Sequence, residues 1–137
     1  MRPPSRAAPD LQLRLQARPE SAQLLRQRLY LWLDELGAKN DEIFDVSLAS
    51  TEAFANAVEH PYEPTAPVID VGGSLNGRTV TITVHDYGSW REQRQREQGG
   101  YGFPLMRHLM GTVEVHTQPR ETAITMQRQL ARPPHLH

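Results

Sequence analysis

In the stretch TEAFANAVEHP, residues 51–61, Glu52, Asn56 and His60 recur every four residues, and a proline follows. On a helix that spacing stacks three chemically able side chains along one face, with Asp45 and Glu59 beside them. Ile43, Val46, Phe54, Ala57 and Val58 fall on the opposite face. One reading is that this face looks into a site. The same spacing also suits the wet face of an amphipathic helix, and from this helix alone that is the favoured reading.

Three further features carry chemistry. Asp86 ends the alternating run TVTITVHD and shares parity with Val80, Ile82 and Val84, so its carboxylate is expected to point inward with the core residues. An inward acid needs donors, and either the turn at Gly88 or a ligand amine can supply them. In GGYGFPLM, Gly99, Gly100 and Gly102 stand just before a predicted helix. Glycines let backbone approach a phosphate, and the free amides of a helix start favour anions; flexible loops use the same residues. Pro104 removes one of those amides. Thr122 shares parity with Ile124 and Met126, which turns its hydroxyl inward, although threonine is also an ordinary strand residue.

The elements that must position these groups follow from periodicity. LQLRL (11–15) alternates as a short strand. Residues 18–37 read as a helix with Leu25, Leu29, Trp32, Leu33 and Leu36 in one stripe, Pro19 in its first turn and Gly37 at its end. A second helix starts after Asn40 as N-cap and runs to about His60, before Pro61. Asn76-Gly77 between two alternating runs predicts a hairpin. A polar stretch, a short helix FPLMRHLM ending at Gly111, and two strands joined at QPRE complete the order. Strand, helix, helix, hairpin, helix, hairpin predicts an α+β two-layer sandwich, with helices on one face of a mixed, mainly antiparallel sheet.

Composition sets the limits. The 137 residues suit one domain, expected over 11–130 between proline-rich tails at 1–10 and 131–137. Fifteen basic residues against sixteen acidic ones advertise no nucleic-acid or anionic-membrane surface. The absence of cysteine excludes disulfides, thiolate metal sites and a cysteine nucleophile. No apolar run suggests a signal peptide or a membrane span, so a cytoplasmic location is expected. The six histidines make no His-x-x-x-His pair on a helix, and no Ser-His-Asp nucleophile motif is present.

Taken in order, EAFANAVEH, HDYGSW, GGYGFPLMRHLM and ETAITMQRQL resemble the motifs of the ATP-binding fold shared by gyrase, MutL and histidine kinases, and within it the bacterial anti-sigma-factor serine kinases. The resemblance covers roughly residues 10 to 130 and implies a Bergerat-type fold. It implies ATP and Mg2+ as cofactors, with Asn56 on the metal, Glu52 as general base and Asp86 accepting from the adenine amine. Gly88, Gly100 and Gly102 would close backbone around the nucleotide, Thr122 would support the adenine end, and His60 matches the motif with a less defined role. Residues 89–99, with Arg91, Arg94 and Arg96, would form a lid. A sigma factor and a phosphorylatable antagonist protein are the implied partners, and a homodimer is common among such kinases. Two departures stand out: Trp90 lies where many relatives have a second glycine, and Glu121 stands where they tend to have glycine, which brings a carboxylate toward the adenine pocket. These departures motivate an alternative, a nucleotide-binding anti-sigma module with little or no kinase activity. A protein without a nucleotide site, dimerising through its first helix, is a third reading.

Overall fold

Alternation and helical stripes resolve into two layers in the computed structural model, which describes residues 10–59, 68–87, 102–119 and 121–131. In chain order the elements are β1 (Leu11–Gln16), α1 (Ser21–Glu35), α2 (Asn40–Glu59), β2 (Val68–Asn76), β3 (Thr79–Asp86), α3 (Gly102–Met110), β4 (Thr112–Gln118) and β5 (Glu121–Gln129). The strands form one sheet in the order β1-β2-β3-β5-β4, and every pairing is antiparallel. The parallel component expected of a mixed sheet is therefore absent among the described strands. Two helical traverses between β1 and β2 bring the chain back reversed. The single helix α3 does leave β3 and β4 running the same way, but β5 lies between them.

Alternate strand residues face the helices. Leu11, Leu13, Leu15, Ile69, Val71, Val80, Ile82, Val84, Ile124 and Met126 are buried against Leu25, Leu29, Trp32 and Leu33 of α1, Val46 and Phe54 of α2, and Phe103 and Met106 of α3. Gly73 makes room in this layer: a Cβ there would come within 2.9 Å of Trp32 Cη2 and 3.2 Å of Ile82 Cδ1. The other sheet face carries no helix among the described residues, and its side chains are mostly polar, with the apolar Val68 and Ala123 among them. None of the described helices is long and apolar enough to cross a membrane.

Local chemistry sets the ends. Past α1, Gly37 takes φ +86°, Ala38 N–H donates to Leu33 C=O at 3.1 Å and Gly37 N–H to Asp34 C=O at 3.0 Å, a Schellman closure. The start of α2 differs from expectation. Ile43 N–H donates to Lys39 C=O at 2.9 Å, so Lys39, not Asn40, is the N-cap residue. Three residues on, the buried Glu42 reaches back to accept from Lys39 N–H at 2.8 Å, half of a capping box, and also accepts from Ala131 N–H at 2.7 Å. In the β2–β3 hairpin the two loop residues are Gly77 and Arg78, because Asn76 pairs with Thr79. Gly77 takes φ +63° at the first central position, and Asn76 closes the strand instead of entering the turn.

Candidate functional site

Helix α2 packs on β3 and contacts both α1 and α3. It presents Asn56, 6% exposed, toward the layer between helices and sheet, with Glu52 half-buried one turn earlier. The Asn56 Nδ2 has no hydrogen-bond partner among the described residues. Below the helices, alternation carries Asp86 and Thr122 to the covered face, 7% and 1% exposed. They stand directly opposite each other in the β3–β5 register, with Ile69 on the other flank of Asp86. The Thr122 Oγ1 is likewise unpartnered among the described residues. Each such buried group costs about 1–3 kcal/mol when nothing pairs with it. A bound polar ligand would recover that energy.

Asp45, grouped with Glu52 and Asn56 by helical spacing, does other work. Its carboxylate accepts from Arg128 Nη1 at 2.8 Å, and the same nitrogen donates to Leu109 C=O at 2.8 Å, tying α2, β5 and the end of α3 together. Gly102 is the first residue of α3. His60, Gly88, Gly100, Trp90 and the lid arginines lie outside the described residues. Ser50, fully buried on α2, is another hydroxyl without a partner among the described residues; nothing in its spacing distinguishes it from an ordinary helix serine.

Glu121 corrects an expectation. Its odd parity turns it to the open sheet face, away from Asp86 and Thr122, where its Oε1 lies 2.6 Å from His85 Nε2. His85 stacks at 4.6 Å between ring centroids on Tyr87, and the Tyr87 hydroxyl donates to Asp70. Arg14 closes the series with two parallel bonds to Asp70, Nε to Oδ1 at 2.8 Å and Nη2 to Oδ2 at 2.9 Å. The Arg14 guanidinium, with help from the Tyr87 hydroxyl, holds the Asp70 carboxyl below its ordinary value, against the opposing effect of partial burial. The Asp70 carboxylate, with partial burial, pushes the Tyr87 phenol up. Nothing in the sequence pattern marks this series, since polar residues on alternate positions look like any wet sheet face.

Among the described residues, three helices on one face of a five-stranded antiparallel sheet define an α+β two-layer fold. Residues 15–128 match the histidine kinase-like ATPase domain, and the chain belongs to that family. It is similar to an anti-sigma F factor from Clostridium acetobutylicum, 28% identical over 134 residues, covering 88% of this chain and 94% of the relative. It is also similar to an anti-sigma F factor from Heyndrickxia coagulans, 29% identical over 136 residues, covering 88% and 92%. Among solved structures, the RsbU and RsbW domains of a Mycobacterium tuberculosis protein match with a TM-score of 0.78 and 29% identity, over 94% of this chain. This chain spans only about a third, 34%, of that one. The SiaB-SiaC complex of Pseudomonas aeruginosa matches with a TM-score of 0.62 and 12% identity over 90% of each chain, a likeness of fold alone. An ATPase domain implies a nucleotide site, and the buried Asp86 carboxyl, Thr122 hydroxyl and Asn56 amide, whose oxygen is the kind of donor a hard cation takes, are chemically compatible with one.

Proposed function

We propose that this protein is an ATP-dependent protein-serine/threonine kinase that doubles as an anti-sigma factor, holding a sigma factor and phosphorylating the antagonist that competes for it. The observation that carries this reading is the buried constellation of Asn56, Asp86 and Thr122, two of whose polar atoms have no partner among the described residues. The anti-sigma F factor relatives support the choice of partners.

Asp86 accepts a hydrogen bond from the adenine amine, and Thr122 beside it supports the same end. Asn56 would hold magnesium, which when bound would supply positive charge to neutralise the phosphate oxygens. Glu52 takes the proton from the antagonist hydroxyl as its oxygen bonds to the γ-phosphorus. The bond from that phosphorus to the bridging oxygen breaks, and ADP leaves with the electron pair. Gly88, Gly100 and Gly102 would let backbone close around the nucleotide, and His60 completes the motif without an assigned role. The phosphate adds about two negative charges to the antagonist at neutral pH, enough to change its fit to the complex.

The alternative, a nucleotide-binding anti-sigma module with little kinase activity, rested on Trp90 and Glu121. Glu121 faces the open side of the sheet, so it puts no carboxylate in the pocket. The test is phosphotransfer from γ-labelled ATP to candidate antagonists from the same organism. Glu52→Gln is expected to lower kcat by about 100-fold or more, the scale of a lost general base, while ATP affinity is kept. Equal transfer by Glu52→Gln would contradict the base assignment, and stable ATP binding without any labelled antagonist would favour the alternative.

A further inference from the structure

Asp86 sits between two residues that point the other way, His85 before it and Tyr87 after it. Each of these neighbours is tied to a different flanking strand on the open sheet face. Tyr87 donates to Asp70 of β2, which Arg14 of β1 grips in turn. His85 pairs with Glu121 of β5, the residue next to Thr122. The two rings pack on each other at 4.6 Å, joining both ties into one series across β1, β2, β3 and β5.

Side chains alternate along a strand, so holding His85 and Tyr87 outside sets the inward direction of the residue between them. The end of a strand is where such holding counts most. Tyr87 lies past the last residue of β3, and Glu121 is the first residue of β5. Asp86 and Thr122 are themselves a cross-strand pair at that frayable edge.

We infer that Tyr87, His85 and Glu121 are positioning residues that act through Asp86 and Thr122 and set how sharply the site distinguishes a purine bearing an exocyclic amine. The series is an outer clamp: its members touch no ligand, and they fix the two groups that would. The inference rests on the nucleotide reading of the site. Substitutions that release the clamp therefore blunt base discrimination and leave the phosphate end unchanged.

The experiment is calorimetric binding of ATP and of inosine triphosphate, which carries a carbonyl in place of the amine, in magnesium. Wild type, Tyr87→Phe, Glu121→Ala and Glu121→Gln are compared at one pH. Wild type is expected to prefer ATP. In Tyr87→Phe, which keeps the ring contact but loses the bond to Asp70, that preference falls by about fivefold, the worth of one loosened hydrogen bond, with inosine triphosphate affinity steady. Glu121→Ala does the same, and Glu121→Gln restores most of the preference by keeping an acceptor for His85. An unchanged preference in both Tyr87→Phe and Glu121→Ala, even with a lower melting temperature, overturns the inference and makes the clamp a stability device. Wild type that binds neither nucleotide overturns the nucleotide reading itself. Equal binding of the two by wild type removes the Asp86 assignment, and the inference with it.

Discussion

Asp70 and Tyr87 share one hydrogen bond, and its two ends titrate on opposite sides of neutrality. Asp70 is held below its ordinary 3.8, so its contribution to stability is present above that value and is lost as pH falls through the folded pKa. Tyr87 is pushed above its ordinary 10.0, so its contribution is present below 10.0 and is lost as pH rises through the folded pKa. Both groups are partly exposed, and solvent keeps each effect small. A thermal-denaturation profile against pH is expected to fall on both limbs, and Asp70→Asn is expected to flatten part of each relative to wild type. Parallel profiles for the two proteins would show that the bond carries no linkage. At the Asp86–Thr122 pair, by contrast, strand parity alone was enough to predict the inward direction, because one buried face is the strongest constraint a strand obeys. The Glu121–His85 pair was illegible for the opposite reason: it joins residues 36 apart in sequence, on a face where polarity has an obvious other explanation.

Among the elements, periodicity recovered the helices and strands, and the misses sit at their ends. The cap of α2 went to Lys39 because Glu42, which reads as one more acid in a first turn, is buried where the chain returns at Ala131, 89 residues later. Local propensity for asparagine at an N-cap cannot register a contact of that range. The hairpin shifted by one residue because Gly77 satisfies the positive φ at the first loop position, leaving Asn76 free to pair. Packing between elements was also hidden. Gly73 reads as a weak spot in a strand, yet it is the gap that admits Trp32 of α1. Gly73→Ala is expected to destabilise the protein by about 1–3 kcal/mol, the usual range for overpacking. Denaturant unfolding measures this directly. Since the ring of Trp32 and the Ile82 methyl must both give way, a midpoint equal to wild type would mean that α1 does not sit on β2 as described.

For the molecule as a whole, the fold packs α2 on β3 beside its pairing with β5. The antiparallel sheet supplies Asp86 and Thr122 from adjacent strands, α2 supplies Glu52 and Asn56, and the Arg128 contacts to Asp45 and Leu109 lock α2, α3 and β5 together. The central claim is that this arrangement binds ATP with magnesium. Its most direct test is calorimetry of ATP in magnesium on wild type, Asn56→Ala and Asp86→Asn, each checked for folding by circular dichroism. The account predicts clear binding by wild type and a loss of about tenfold or more with either substitution, the scale of removing one hydrogen bond to a charged or metal-bound group. Folded wild type that binds no ATP, or substitutions that leave affinity unchanged, would contradict it and return the Glu52, Asn56 and His60 stripe to an ordinary helix face.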